Sequence, residues 1–236
     1  MLQLIDKGKI YLYLVFLFIL LSLHNINSIN YINDFFKIKK ITLESNIGNK
    51  INNEIYESLN EFYNSSIFSI KTKKIQNILN NFNIIGEYKI KKEYPSAIKI
   101  ELKETKILAY YFDNNKKTYI GLNGKKIINK ISEEDLPLIV GNVNVKIFLE
   151  LNDKLNKNGI KINDFKKLYF FKSNRWDLLY QDKILIKLSN NNLDFSLNLL
   201  KKIINISLSN GVKVIDLRIK DKIILSWLKL INHTLY

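Results

Sequence analysis

The sequence predicts an α+β chain. A single N-terminal transmembrane helix comes first, then a small domain of β-α-α-β-β order, then a domain built on a mixed β-sheet with helices. Three observations carry this expectation. An uncharged apolar run lies close to the N-terminus. Two short amphipathic helical stripes then fall among segments of alternating polarity, up to about residue 104. Beyond that, hairpin signals recur and two longer helical stripes interrupt them.

The apolar run is Ile10 to Leu23, fourteen residues without a charge, preceded by Lys7 and Lys9. A cleaved signal peptide and an uncleaved anchor both fit a run of this kind. The segment has no Ala and no small-x-small cleavage site, which favours an anchor over 10–29. That is near the roughly 20 residues that a bilayer core requires. The next cation after Lys9 is Lys37, so the positive-inside rule places a cytoplasmic tail at 1–9 and the bulk of the chain outside. Ile223 to Ile231 is too short for a second span and is broken by Ser226 and Lys229.

Phe36 to Leu43 mixes apolar and basic residues in near-alternation and reads as a half-buried strand. Ile51, Ile55, Leu59 and Phe62 form one helical stripe, and Ile75, Ile78, Leu79 and Phe82 form a second, with Thr72 as the expected N-cap. Ile84 to Glu93 is a strand, Tyr94-Pro95-Ser96 a turn, and Ala97 to Lys103 a strictly alternating strand. Two amphipathic helices covering one face of a three-stranded sheet bury both layers.

In the second half, Asp113-Asn114-Asn115 separates the strands Ile107–Phe112 and Lys117–Leu122, and Asn123-Gly124 opens a further hairpin. The two glycines of Gly121-Leu122-Asn123-Gly124-Lys125 are too close together for a phosphate-binding loop. Leu136-Pro137-Leu138-Ile139-Val140-Gly141 precedes a helix over Asn144–Asn158 that ends at Gly159. Three short strands follow (Phe165–Phe171, Arg175–Tyr180, Lys183–Leu188), then a long helix from Leu193 to Leu208. The strands Val212–Ile219 and Lys222–Trp227 close the pattern.

Composition sets outer limits. The 236 residues hold one large domain or two small ones, and 47% hydrophobic with 12% aromatic content excludes wholesale disorder. There is no Cys, hence no disulfide framework, thiolate metal site or thiol nucleophile. The net charge of +15 admits a nucleic-acid or anionic-polymer surface. The cations, however, are scattered singly and in pairs, which favours a solvated surface and no nucleic-acid partner. Of the 37 cationic residues only Arg175 and Arg218 are Arg. Each sits in a short phrase, Arg175-Trp176-Asp177-Leu178 and Ile215-Asp216-Leu217-Arg218, with a carboxylate two residues away. Forked Arg–carboxylate pairing is the expected use, and period-two geometry allows the two phrases to pair with each other across strands.

Several of these phrases together resemble the FtsQ/DivIB family of bitopic cell-division proteins. Glu93-Tyr94-Pro95-Ser96-Ala97-Ile98-Lys99-Ile100-Glu101-Leu102-Lys103-Glu104 is similar to the end of that family's POTRA domain. The Leu136–Gly141 phrase, Arg-Trp-Asp-Leu at 175–178 and Asp-Leu-Arg at 216–218 follow in the family's order. The resemblance implies a POTRA domain at 35–104, an FtsQ-type β domain at 105–228 and a C-terminal tail at 229–236. It also implies a place in the inner membrane at the division septum, with the bulk of the chain periplasmic. The function it implies is a non-enzymatic scaffold whose last strand and nearby helix bind FtsB- and FtsL-like proteins, with other membrane division proteins met through the POTRA domain. Two alternatives stay open: a POTRA-bearing protein of outer-membrane assembly or secretion, and a basic envelope protein that binds an anionic polymer.

The inventory for catalysis is thin. His24 and His233 have no neighbours that would make them bases or ligands, and there is no His-Glu-x-x-His or Gly-x-Ser-x-Gly phrase. Glu133-Glu134-Asp135 reads as a solvated loop. No catalytic residue, cofactor or metal is expected. The expected partner-binding residues are Ile223, Ile224, Leu225, Ser226 and Trp227, a β-prone segment at the end of a sheet with no Pro to blunt it. Arg175, Trp176, Asp177, Asp216 and Arg218 are expected to set sheet register beneath it.

Overall fold

The structure is a computed structural model that describes residues 7–22, 31, 33–128 and 135–227. The expectations for residues 1–6 of the N-terminal tail, for 23–30 with His24, for Glu133 and Glu134, and for the tail 229–236 with His233 lie outside the described residues. The chain divides into two compact units, Met1–Glu104 and Thr105–Tyr236.

The first unit opens with helix α1 (Lys7–Ser22), about 24 Å long at 1.5 Å per residue. No helix among the described residues is long and apolar enough to cross a membrane. Strand β1 (Lys40–Ser45), helix α2 (Asn49–Leu59, extended by a 3-10 turn over Asn60–Phe62) and helix α3 (Thr72–Asn80) follow. Strands β2 (Ile85–Glu93) and β3 (Ala97–Glu104) complete the β-α-α-β-β order. The sheet runs β1-β3-β2, with β1 parallel and β2 antiparallel to the central strand. Ile41, Ile98, Ile100 and Leu102 from the sheet meet Ile55 and Leu59 of α2 and Ile75 and Leu79 of α3 in a buried core. The helical stripes bury at the expected spacing.

Two local expectations are corrected. The first strand begins at Lys40, not Phe36, because the preceding segment hydrogen-bonds to loops instead of to the sheet. Ile38 donates its N–H to Ser65, Lys39 donates to Ser96, and the Phe36 carbonyl accepts from Ile67. Thr72 is not the cap of α3. Lys71 occupies that position in an extended conformation, and no side chain caps the helix.

The second unit is a nine-stranded sheet. Its strands are β4 (Ile107–Asp113), β5 (Lys116–Gly121), β6 (Lys126–Ile128), β7 (Leu138–Val140), β8 (Phe165–Phe170), β9 (Trp176–Tyr180), β10 (Ile184–Lys187), β11 (Val214–Asp216) and β12 (Ile224–Ser226). The spatial order is β12-β11-β10-β9-β8-β7-β4-β5-β6. Helix α4 (Val145–Lys157) precedes β8, and helix α5 (Leu193–Ser209) makes the crossover that lets β11 lie parallel to β10. Asn144 caps α4 by accepting the Lys146 N–H at 2.8 Å. Phe148, Leu151 and Leu155 of α4 and Leu197 and Leu200 of α5 are buried with Leu168, Leu178, Ile186 and Ile215 of the sheet.

Local chemistry places the turns. Asn114 and Asn115 both adopt positive φ, 46° and 63°, which a two-residue hairpin turn requires. Gly141, with φ +113°, ends β7 where a Cβ would lie 2.2 Å from the Phe170 carbonyl oxygen, so no side chain fits. The last two strands are shorter than expected, three residues each. Asp216 turns its carboxylate onto the Arg218 N–H at 3.1 Å, an Asx-type turn that ends β11. Asp221, at φ +59°, then reverses the chain.

Candidate partner-binding edge

Strand β12 lies at one edge of the nine-stranded sheet and pairs antiparallel with β11 through Val214↔Ser226, Ile215↔Leu225 and Asp216↔Ile224. No described strand pairs with its other side. Leu225 packs against the core beneath α5. Ile223, Ile224 and Trp227 are 41%, 48% and 59% exposed. The Trp227 indole donates to the Asn210 carbonyl, 3.0 Å away at the C-terminal end of α5, so it stands beside the strand at the helix end. Of the five expected binding residues, Ile224, Leu225 and Ser226 form the edge strand, Ile223 and Trp227 flank it outside the ladder, and successive residues of the strand split by face. Leu225 turns to the core, and Ile224 lies on the face that carries Asp216.

That face carries the two Arg phrases. In register across four strands lie Asp177 of β9, Lys187 of β10, Asp216 of β11 and Ile224 of β12. The phrases do not pair with each other, which corrects the cross-strand expectation: β10 intervenes, and each Arg closes on its own carboxylate. Arg175 donates Nε to Asp177 Oδ1 at 3.1 Å and reaches Oδ2 at 3.5 Å, while its guanidinium lies 4.3 Å from the Phe171 ring centroid. Arg218 donates Nε and Nη2 to the Asp216 carboxylate at 2.6–2.9 Å. Lys187, in register with both aspartates, is the cation between them. The sequence reading missed it because a lone Lys in an alternating strand looks like an ordinary solvated position.

The two carboxylates titrate in opposite directions. Burial raises the Asp177 pKa, and the charge and hydrogen bonds of Arg175 offset this only in part. Burial also acts to raise Asp216, but its hydrogen bonds and ion pair with Arg218 prevail and the pKa is lowered. Trp176 is buried against Phe170, with ring centroids 4.7 Å apart.

A second residue escaped the sequence reading. Ser196, on the core side of α5 and 1% exposed, donates its hydroxyl to the Asn192 carbonyl at 3.1 Å or to the Leu217 carbonyl at 3.2 Å. It also accepts the Ser189 N–H at 3.4 Å. It ties the first turn of α5 to the ends of β10 and β11. Its signal was a polar residue beside the apolar stripe of Leu193, Leu197 and Leu200. Among the described residues no group of three His, Asp or Glu side chains is placed to hold a metal ion. Asp135, from the acidic cluster, forms an ion pair with Lys166.

Comparisons with known proteins agree along the chain. Residues 36–105 match the POTRA domain of FtsQ type. Residues 109–218 match the C-terminal domain of the cell division protein FtsQ/DivIB. The cell division protein FtsQ of Rickettsia bellii (strain RML369-C) is 29% identical over 190 residues, 79% of this chain and 71% of that protein. A solved structure of the major extracytoplasmic domain of the cell division protein DivIB from Geobacillus stearothermophilus, in its trans isomer, is 16% identical. It covers 47% of this chain and 98% of its own at a TM-score of 0.32, too loose a superposition to bear on the assignment. Two FtsQ-type domains thus follow one another in a chain that aligns with an FtsQ over most of its length, and the chain belongs to the FtsQ/DivIB family of cell-division proteins.

Proposed function

We propose that this protein is a non-enzymatic scaffold of the bacterial division machinery, held in the inner membrane by its N-terminal segment with the two folded units outside. Its β12 edge accepts a strand from an FtsB- or FtsL-like partner. The observation that carries the reading is the edge itself: a terminal strand with exposed Ile224 and a flanking Trp227, not covered by any described element and not blunted by Pro. An added strand gains main-chain hydrogen bonds along β12 and side-chain contacts at alternate positions. The charge row behind it and the Ser196 tie hold β11, and hence β12, in a fixed register with the sheet.

The anchor reading draws on the apolar character of α1, whose described residues are by themselves too short to span a bilayer. Every residue from Ile10 to Leu21 is exposed and apolar, so the helix has no polar face to offer water. A membrane tether raises the effective concentration of each contact made by the folded units, so several weak contacts suffice.

Affinity capture from membranes with the full chain and with a chain lacking Asp221 to Tyr236 tests the reading. Recovery of FtsB- and FtsL-like proteins only with the intact end supports it, and equal recovery moves the contact elsewhere. Strand addition predicts weak dependence on ionic strength, whereas an anionic-polymer binder loses affinity steeply as salt rises.

A further inference from the structure

The first unit carries an exposed feature that partner binding at β12 does not use. Four aromatic rings form a continuous strip: Phe35 meets Phe36 edge-on at 5.2 Å, Phe36 meets Phe68 at 4.9 Å, and Phe68 stacks on Tyr94 at 5.4 Å. Phe35, Phe68 and Tyr94 are 56%, 61% and 60% exposed, unusual for large aromatics. They come from three separate segments, namely the chain leading into β1, the loop between α2 and α3, and the β2–β3 turn.

The same three segments are hydrogen-bonded together. Ile67 donates to the Phe36 carbonyl, Ile38 to Ser65, and Lys39 and Lys40 to Ser96. The Lys92 ammonium donates to the Ile67 and Ile70 carbonyls at 2.6 and 2.7 Å, and Ile67 and Ile70 themselves are buried. Phe68 is thus held outward between two anchored neighbours. The strip is a built surface, and it sits at the end of the domain where the chain arrives from α1.

That position selects the occupant. Phe36 follows the end of the 10–29 segment by seven residues, which span at most about 25 Å of extended chain. Tyr31, 78% exposed, stands two residues past it. Aromatic rings concentrate at the membrane–water boundary, where their apolar bodies sit among headgroups and upper acyl chains. The exposed Lys39 and Lys71 lie three residues from Phe36 and Phe68 in the chain and offer positive charge suited to anionic headgroups, while Lys37 is already paired with Asp34 at 2.6 Å.

We infer that the Phe35–Phe36–Phe68–Tyr94 strip docks in the headgroup region of the bilayer and holds the POTRA unit with this end against the membrane. The inference rests on the anchor reading of residues 10–29. Docking leaves the far end of the unit, about 23 Å along the β2–β3 hairpin, facing away from the lipid.

The absence of Cys allows a single introduced Cys to carry a nitroxide in the full chain. The chain is reconstituted at high dilution in vesicles of phosphatidylethanolamine and phosphatidylglycerol. A label at Ser69→Cys leaves all four rings in place, Lys103→Cys reports the far end, and Val15→Cys reports the anchor. The ratio of collisions with oxygen to collisions with a water-soluble nickel chelate is expected to be several-fold higher at 69 than at 103. It should fall to the value at 103 when Phe68→Ser and Tyr94→Ser are combined. A water-exposed signal at 69 while 15 reports the bilayer core overturns docking alone. A water-exposed signal at 15 overturns the anchor reading. Nickel shielding at 69 without increased oxygen collisions, or with spin–spin broadening, indicates a protein neighbour or second copy and also overturns docking in lipid.

Discussion

Replacing Arg175 with Met strips the forked cation from a carboxylate that the fold buries, Asp177 being 4% exposed. Removing one partner of a fully buried ion pair costs roughly 3–5 kcal/mol. Two features reduce that here. The Arg175 side chain is itself 27% exposed, so part of its charge is screened. Lys187, in register with Asp177, remains as a second cation. The expected loss is about 2 kcal/mol at pH 7, or about 8 °C in the midpoint of a unit of this size. The pH dependence is more diagnostic than the magnitude. An acid whose folded pKa lies above its unfolded value holds its proton more tightly when folded. Its contribution therefore favours the fold below the unfolded value and is lost as pH rises through the folded one. Asp177 is such an acid, and losing Arg175 raises it further, so the penalty of Arg175→Met shrinks as pH falls through the folded-state pKa of Asp177 in the variant. Asp216 has the opposite sign, its lowered pKa giving stability that is lost as pH falls, but it is present in both proteins and cancels from the difference. Urea unfolding of the detergent-solubilised chain, followed by tryptophan fluorescence, measures this, because Trp176 is buried next to Asp177. A loss below about 0.5 kcal/mol at pH 7, or one independent of pH, refutes the reasoning. Arg175→Lys should recover only part of the loss, since Lys keeps the charge but neither the fork nor the stacking on Phe171.

Three further outcomes follow from the packing and the edge. Ser196→Ala leaves the Leu217 carbonyl and the Ser189 N–H without the hydroxyl that joins them, and should cost about 1–2 kcal/mol in the same urea titration. Gly141→Ala forces a Cβ onto the Phe170 carbonyl oxygen at a positive φ; a loss well above 2 kcal/mol or failure to accumulate folded chain is expected by circular dichroism, about what backbone strain plus a clash demands. Trp227→Ala removes a half-exposed ring and one hydrogen bond, so stability should move by less than about 1 kcal/mol while partner affinity, read by surface plasmon resonance, falls about tenfold or more.

Much of the fold can be read from residue spacing. The stripes of α2, α3, α4 and α5 mark helices because each puts apolar residues on one face every three to four positions. The β4–β5 and β5–β6 turns are marked by Asn-Asn and Asn-Gly, residues that tolerate positive φ. What escapes is anything set by distant segments. The parallel pairings β1 with β3, β7 with β8 and β10 with β11 depend on which strands the helices cross over, and no local pattern encodes that. The true start of β1 depends on loops some thirty and sixty residues away that take up the hydrogen bonds of Ile38 and Lys39. The same holds for the charge row. Arg175 and Arg218 stand out by rarity, but pairing each with its own neighbour rather than with the other phrase follows only from β10 lying between them. Lys187 acquires meaning from its two neighbours in register, which are ten and twenty-nine residues away in the chain.

The central claim is that β12 is an acceptor strand, and amide hydrogen exchange tests it most directly. The full chain in nanodiscs is compared alone and bound to the partner proteins that affinity capture recovers with its intact end. Added main-chain hydrogen bonds must slow exchange over residues 223–227 by about tenfold or more on binding. The edge strand β1 of the other unit should keep its free rate. Unchanged exchange at 223–227 in a saturated complex, with protection appearing elsewhere, contradicts the account.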